Sequence, residues 1–360
     1  MTSNARELAQ IPSTPSGRRN LIINGAMQVA QRSTSVTGIG ASSGYFTVDR
    51  FKLGCSGTAG RLTMTQTADG PSGFANCIKL DCTTADTSIA ADEFVGLQYR
   101  PEGQDLQRFM KGTSDAKEYT LSFYVKGNAS ATYAVELYDF DNTRQVSKLF
   151  SVTTDWTRVE ITYPADTTGA FDDDNAASMM INIFLHAGSN FTSGTLNQTW
   201  ASATNANRAV GISSFFDSTD RTFFITGMQL EVGSVATEFE HRSFGEELDL
   251  CMRYYQRVTR INNDNVYIGL AQAAGTTVGY VVKDWEKQLR ANPTFGVSSA
   301  TDAELFGSMG ARQSTAVSML VDGTQNGLIQ ITVSGGLTAD NANRAYLRSH
   351  AAFYELDAEL

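Results

Sequence analysis

The sequence predicts an all-β chain: a large antiparallel β-sandwich, a short linker helix, and a smaller C-terminal β domain. Three observations carry this. Glycine outnumbers proline 31 to 6, and only 18% of residues are charged against 41% hydrophobic, which favours strands and turns. Short segments rich in β-branched and aromatic residues recur at close intervals between turn residues. Only residues 243–258 carry a convincing helical period.

Residues 1–19 read as an N-terminal arm, with a turn of helix at 4–10, then Pro12, Pro15, Gly17 and the basic pair Arg18 and Arg19. It has too few apolar groups to fold alone, so it is frayed or ordered by a partner surface. Residues 20–242 read as the sandwich. Its opening strands are expected at 21–25 and 27–32, followed by a Gly/Ser loop at 37–44 and a strand at 45–53. Further strands are expected at 61–67, 76–82, 94–99, 119–126, 132–138, 148–152, 156–163, 178–185 and 221–230. Leu121, Phe123 and Val125 alternate with polar neighbours, as do Val159, Ile161 and Tyr163, so each strand has one buried face. No fixed-period repeat is present, which argues against a propeller or β-helix.

In residues 243–258, Ser243 and Glu246 form a capping box. Phe244, Leu248, Cys251, Tyr255 and Val258 then fall on one helical face. Residues 259–360 hold strands at 265–273, 277–282, 294–299, 315–321, 328–333 and 351–356. Six short strands are thin for an independent core, so oligomerisation is expected to complete it. Packing three helical stripes around an axis would bury both the stripe and the base of the small domain, which makes these five residues the expected trimer contact.

The net charge of −10 argues against a nonspecific nucleic-acid binder, because phosphates are repelled over most of the surface. The first residues lack an apolar signal core, and no run of about 18 apolar residues occurs. A soluble chain made in the cytosol, with no membrane insertion, is expected. Cys55, Cys77, Cys82 and Cys251 lack zinc spacing and read as structural thiols. No cofactor is expected.

His186, His241 and His350 are the only histidines, none beside a nucleophile elbow, and each reads as structural. A glycosidase needs two carboxylates facing across a cleft; Glu136, Asp139, Asp141 and Glu160 are the candidates, without a flagged pair. Asp172, Asp173, Asp174 and Asn175 offer cation-binding oxygens but not EF-hand spacing, and read as a solvated loop with no metal. Sugar rings present C–H groups that pack on aromatic planes. Trp200, Trp285 and Tyr138 are accordingly the candidate glycan-binding residues, with Trp156 and Tyr124 weighed beside them; Trp156 reads as core or strand-edge packing.

The order of features resembles tail-fibre and related virion structural proteins of tailed bacteriophages, of the short-tailed marine and cyanobacterial type. The resemblance rests on the opening segment Arg18-Arg19-Asn20-Leu21-Ile22-Ile23-Asn24-Gly25-Ala26-Met27-Gln28-Val29-Ala30-Gln31-Arg32, the strand pair at 119–126 and 156–163, and the closing segment from Gly227-Met228-Gln229-Leu230-Glu231-Val232-Gly233 to Arg253-Tyr254-Tyr255-Gln256. It spans residues 18–258 and fades beyond them, apart from residues 290–294 and 353–360. It implies a jelly roll of the carbohydrate-binding-module type on a virion appendage, usually trimeric.

The expected function is that of a non-enzymatic, homotrimeric tail fibre located in the virion. The arm, with Arg18 and Arg19, would anchor it to other virion proteins, and the β domains would bind a host cell-surface glycan. The alternatives are a structural virion protein of capsid or tail with no receptor role, and a glycan depolymerase.

Overall fold

The computed structural model describes residues 18–260, 266–308, 310–349 and 351–360. The turn of helix expected at 4–10, the arm up to residue 17, and His350 lie outside the described residues. The first part of the chain runs through β1 (Ser35–Ile39), β2 (Gly44–Tyr45), β3 (Phe51–Ser56), β4 (Arg61–Thr67), β5 (Cys77–Thr84), β6 (Phe94–Tyr99), β7 (Tyr119–Gly127), β8 (Ala131–Asp139), β9 (Arg144–Val152), β10 (Thr157–Tyr163), β11 (Met179–Ala187), helix α1 (Ser189–Thr192), β12 (Ala201–Ser202) and β13 (Thr222–Val232). Helix α2 (Phe244–Cys251) follows. Then come β14 (Tyr255–Thr259), β15 (Val266–Ala273), β16 (Val278–Asp284), β17 (Thr294–Val297), β18 (Ala303–Gly307), β19 (Gly310–Asp322), β20 (Asn326–Val333), β21 (Ala342–Leu347) and β22 (Phe353–Asp357). No helix among the described residues is long and apolar enough to cross a membrane.

The chain is all-β, and its larger part is a jelly-roll sandwich. A six-stranded sheet in the order β1-β4-β5-β13-β7-β10 packs on a seven-stranded sheet in the order β12-β9-β8-β11-β6-β3-β2. Period-two alternation builds the core: Leu121, Phe123 and Val125 of β7 are buried in one cluster with Val135 and Leu137 of β8 and Ile181, Ile183 and Leu185 of β11. Full burial of each such side chain stabilises the fold by about 1.5–3 kcal/mol. On the edge strand β10 only Tyr163 is fully buried, while Val159 and Ile161 pack partly against the core.

Residues 21–32 are not the expected strands; they form a turn-rich segment with Ile22, Met27 and Val29 buried. Side chains take the place of a ladder here. Asn24 Oδ1 accepts the N–H groups of Gln28 and Val29, each at 2.9 Å, and its Nδ2 donates to Val29 O at 2.8 Å and Asp49 O at 3.0 Å. Glu247 accepts the Asn24 N–H at 2.6 Å, and Tyr99 Oη that of Ile23 at 2.9 Å. An asparagine tolerates the left-handed φ of 62° that this turn requires.

The expected helix over 243–258 is shorter. Ser243 caps it, its Oγ accepting the Glu246 N–H at 3.3 Å, but α2 ends at Cys251. Tyr255 and Val258 lie instead on β14, where Tyr255 pairs with Asp357 and Val258 with Tyr354 of β22. A non-local strand partner outcompetes a marginal helical turn there. The five residues therefore do not form one exposed helical stripe. Cys251 is fully buried with Ile23, Val29 and Tyr254 of the same chain, Leu248 packs partly against them, and Tyr255 is 1% exposed; Val258 packs on the C-terminal core, and only Phe244 is largely exposed.

The C-terminal part is also more complete than expected. β15-β16-β20-β19-β18-β21 close into a barrel, with β14-β22-β17 as a three-stranded sheet beside it. Closure leaves the barrel itself without an open sheet edge, and Ile268, Val281, Leu305, Ile329, Ile331 and Leu347 form a core within one chain.

A buried charged hub welds the two parts. Arg50, whose side chain is fully enclosed, pairs with Glu359, and its guanidinium carbon lies 3.4 Å from the Tyr254 ring centroid. Arg32 reaches Asp357 at 2.9 Å and stacks 3.6 Å from the Tyr255 ring centroid. Arg253 forms a two-pronged pair with Glu102, at 2.8 and 2.7 Å. Within the hub, Asp49 accepts hydrogen bonds from Gln31 at 3.0 and 2.6 Å. Burial pushes its carboxyl up to about 6 from an ordinary 3.8, with Arg32 and Gln31 opposing. Because the folded value is the higher one, charging Asp49 disfavours the fold fully above pH 6, and the penalty is relieved as pH falls toward 3.8. Asp49→Asn should therefore stabilise the protein at neutral pH by about 2 kcal/mol, an advantage that vanishes near pH 4. Denaturant midpoints measured across that range check it, and a pH-independent difference would refute it.

Candidate functional site

The outer face of the seven-stranded sheet carries a cleft, built by the residues that alternate with the core. Ser147, Glu136, Asn182, Gln98 and Lys52 stand in register across β9, β8, β11, β6 and β3. On one side of this polar row lie Gln145, Tyr138 and Met180; on the other lie Leu149, Ala134, Phe184, Gly96 and Gly54. The glycines make the row flat. A Cβ on Gly96 would sit 2.3 Å from Asn182 Oδ1, and one on Gly54 would sit 2.4 Å from Gln98 Nε2.

The cleft encloses about 260 Å³ between Phe94, Gln98, Arg100, Tyr138, Phe140 and Arg208, among others. Glu136 is fully buried and held by Arg208, Nε donating to Oε1 and Nη2 to Oε2, both at 2.7 Å. Burial pushes its carboxyl above the usual range, with Arg208 and Asn182 pulling it back. The Arg208 guanidinium carbon lies 4.9 Å from the Tyr138 ring centroid and 5.4 Å from that of Phe184. Phe94, Phe184 and Phe191 of α1 pack ring against ring at 5.6 to 6.4 Å, forming one aromatic wall. Tyr138 and Phe140 form another, with centroids 5.3 Å apart. Asn182 Oδ1, Gln145 Oε1 and Ser147 Oγ are buried without a hydrogen-bond partner. Stranded acceptors and hydroxyls beside aromatic faces are the equipment of a small-molecule or sugar site.

Of the aromatic candidates from sequence, Tyr138 lies in this cleft. Trp200 does not: half-buried, it donates from Nε1 to Pro164 O at 3.0 Å and packs edge-on to Tyr119. Trp285 is no tip aromatic. It is 8% exposed, packs with Leu289 and Leu356, and bonds Gly323 O at 2.8 Å. Trp156 packs on Phe224, and Tyr124 on Phe74. Arg18 pairs with Glu246, and Glu240 accepts the Arg19 N–H at 2.9 Å, so both lie against their own chain. Sequence reasoning passed over Gln98, Asn182, Phe184 and Arg208. The visible signal was Asn182, a lone amide inside the apolar strand β11.

The carboxylates weighed for catalysis are each engaged elsewhere. Glu136 holds Arg208, Asp139 holds Lys111 at 2.6 Å, Glu160 holds Arg158 at 2.9 Å on the opposite sheet, and Asp141 accepts the Asp172 N–H. Asp172, Asp173 and Asp174 lie in an exposed loop. Asp86, Glu93 and His186 bring ligand atoms within 4.8 Å of one another, but Asp86 Oδ2 already accepts from Thr58 Oγ1 and the Ala59 N–H. His186 also joins Ser214 Oγ at 2.8 Å and Glu93 at 3.1 Å, the outline of a Ser-His-Glu relay. Its ring is wholly enclosed against Phe216, and Ser214 Oγ accepts the Phe216 N–H at 3.1 Å, so the group ties a turn to β11. All four cysteines are buried and unpaired by disulfides.

No protein family matches the chain, and no curated protein matches it. Among solved structures, the enzymatically active domain of tailspike protein 4 of bacteriophage CBA120 is similar at 12% identity and a TM-score of 0.31, over 59% of this chain and 21% of that one. This chain thus spans about a fifth of the tailspike structure. A CBM4 structure is similar at 10% identity and a TM-score of 0.29, over 58% of this chain and 97% of that one. TmCBM61 in complex with β-1,4-galactotriose is similar at 10% identity and a TM-score of 0.30, over 60% and 99%.

Proposed function

We propose that this protein is a non-enzymatic glycan-binding subunit of a bacteriophage particle, a homotrimeric tail fibre that engages host surface sugar through the outer face of its seven-stranded sheet. The observation that carries the binding reading is the cleft itself, where two aromatic walls flank the buried Asn182 with its unpartnered Oδ1. An aromatic plane takes the C–H face of a pyranose, while fixed amides take its hydroxyls. The virion assignment rests on the resemblance of residues 18–32 and 227–256 to phage appendage proteins. Trimerisation would convert weak single sites into useful avidity.

Affinity electrophoresis through host surface polysaccharide tests the reading. The purified chain should be retarded, and Tyr138→Ala with Asn182→Ala should weaken retention by about tenfold or more while thermal stability is kept. Equal retention of the double variant removes the cleft from the reading, and abundant new reducing ends would make the chain an enzyme. A monomer by native mass measurement would remove the trimer, and labelling confined to the capsid of intact particles would remove the fibre.

A further inference from the structure

We infer that the cleft selects acidic glycans whose charge is a sugar carboxylate, received by Arg100 with Lys52 beside it; this deepens the glycan-binding reading above and rests on it. The chain as a whole is acidic, with a formal charge of −10, yet the cleft is cationic. Its one carboxylate, Glu136, is occupied by Arg208. Arg100 has no carboxylate within ion-pairing distance among the described residues, and its guanidinium makes one side-chain hydrogen bond, from Nη2 to Gln98 Oε1 at 3.1 Å. Lys52 has no carboxylate partner among the described residues either; its ammonium lies 5.5 Å from the Tyr45 ring centroid.

The two cations share a face. Lys52 pairs in register with Gln98, and Arg100 follows Gln98 by two residues on β6 and its extension, so both project outward from neighbouring strands. Burial lowers the Lys52 pKa and the nearby Arg100 charge lowers it further, while Glu359 and Asp357 oppose them. Like charges held side by side repel, and an anion placed between them relieves the repulsion. Everything around Arg100 is arranged for a sugar rather than a bare ion. Phe140, 36% exposed, lies 5.4 Å from the Arg100 guanidinium carbon and meets Tyr138, while Asn182, 1% exposed, lines the same cleft with an unpartnered Oδ1. A planar guanidinium with free donors matches a carboxylate in shape as well as charge. A neutral glycan would leave Arg100 without a carboxylate partner, and discrimination follows from that cost.

The test is affinity electrophoresis of the full chain through polygalacturonate, alginate and hyaluronate, each run beside its carboxyl-reduced, uncharged counterpart, and through a phosphomannan. At least one uronate polymer should retard the protein about tenfold more than its reduced form, added salt should erode the difference, and Arg100→Gln should bring the two toward parity. A Lys52→Gln variant should narrow the difference less. Equal retention by acidic and reduced polymers overturns the carboxylate preference and leaves glycan binding standing. Retention by phosphomannan without any uronate overturns it in favour of phosphate. No retention by any uronate polymer overturns it as well, and the general reading then stands or falls on host polysaccharide.

Discussion

Replacing Arg50 by methionine should cost about 3–5 kcal/mol of stability and loosen the grip of the sandwich on the C-terminal part. Arg50 is fully enclosed, and beyond Glu359 it donates from Nη2 to Arg100 O at 2.6 Å and lies over Tyr254. Methionine fills much of the volume but leaves the Glu359 carboxylate, 3% exposed, with Arg32 at 3.5 Å and the backbone N–H of residue 50 at 3.3 Å. Stranding one partner of a buried pair is far more damaging than deleting both. Adding Glu359→Gln to Arg50→Met should therefore recover part of the loss, and a double-mutant cycle in denaturant measures the coupling. A single-variant loss below about 1 kcal/mol would show that the hub does not hold the two parts together.

A comparable loss is expected from Lys111→Met. Its ammonium sits in an enclosed cage made by Asp139 Oδ2 at 2.6 Å, Asp166 Oδ2 at 3.2 Å, Thr168 O at 2.9 Å and Gly169 O at 2.8 Å. Against the pull of burial, Arg144 and Lys111 hold the Asp166 carboxyl below the ordinary carboxylate range. Without Lys111, Asp139 keeps only Asn142 as a donor, through its N–H at 3.0 Å and its side-chain amide. The expected cost is about 3–5 kcal/mol, reduced when Asp139→Asn accompanies the change. Since the Asp166 value is depressed on folding, its share is present at neutral pH and lost as pH falls through the carboxylate range. Equilibrium unfolding at pH 7 checks the cost, and wild-type stability in the single variant would refute it.

The strands of the sandwich were legible because alternation is local: Arg61–Thr67 and Phe94–Tyr99 fall where period two places them. The opening segment misled because Leu21-Ile22-Ile23 has strand composition, whereas its backbone is satisfied by Asn24, Glu247 and Tyr99, partners up to 223 residues away. In the C-terminal part, β18 and β21 were passed over, and they are the strands that close the barrel. Without them the core looked open and seemed to need other copies of the chain. Tyr138 could be found as an aromatic on a strand, but Arg208 lies in a loop, and no local pattern announces that it reaches Glu136 on β8. Residues 18–32, 240–256, 290 and 353–360 meet around Arg32, Arg50, Arg253 and Arg290, whereas the strand pair at 119–126 and 156–163 lies in the six-stranded sheet.

The pairing of Arg50 with Glu359 spans 309 positions of sequence. Without the C-terminal part, the Arg50 guanidinium has no carboxylate partner. Arg50 finds its carboxylate only in Glu359, while Arg32, which has Asp49 at 3.9 Å within the sandwich, gains Asp357 and Glu359 from the end of the chain. Disturbing residues 357–359 is therefore felt at Arg32 and Arg50 of the sandwich as well as in the C-terminal part.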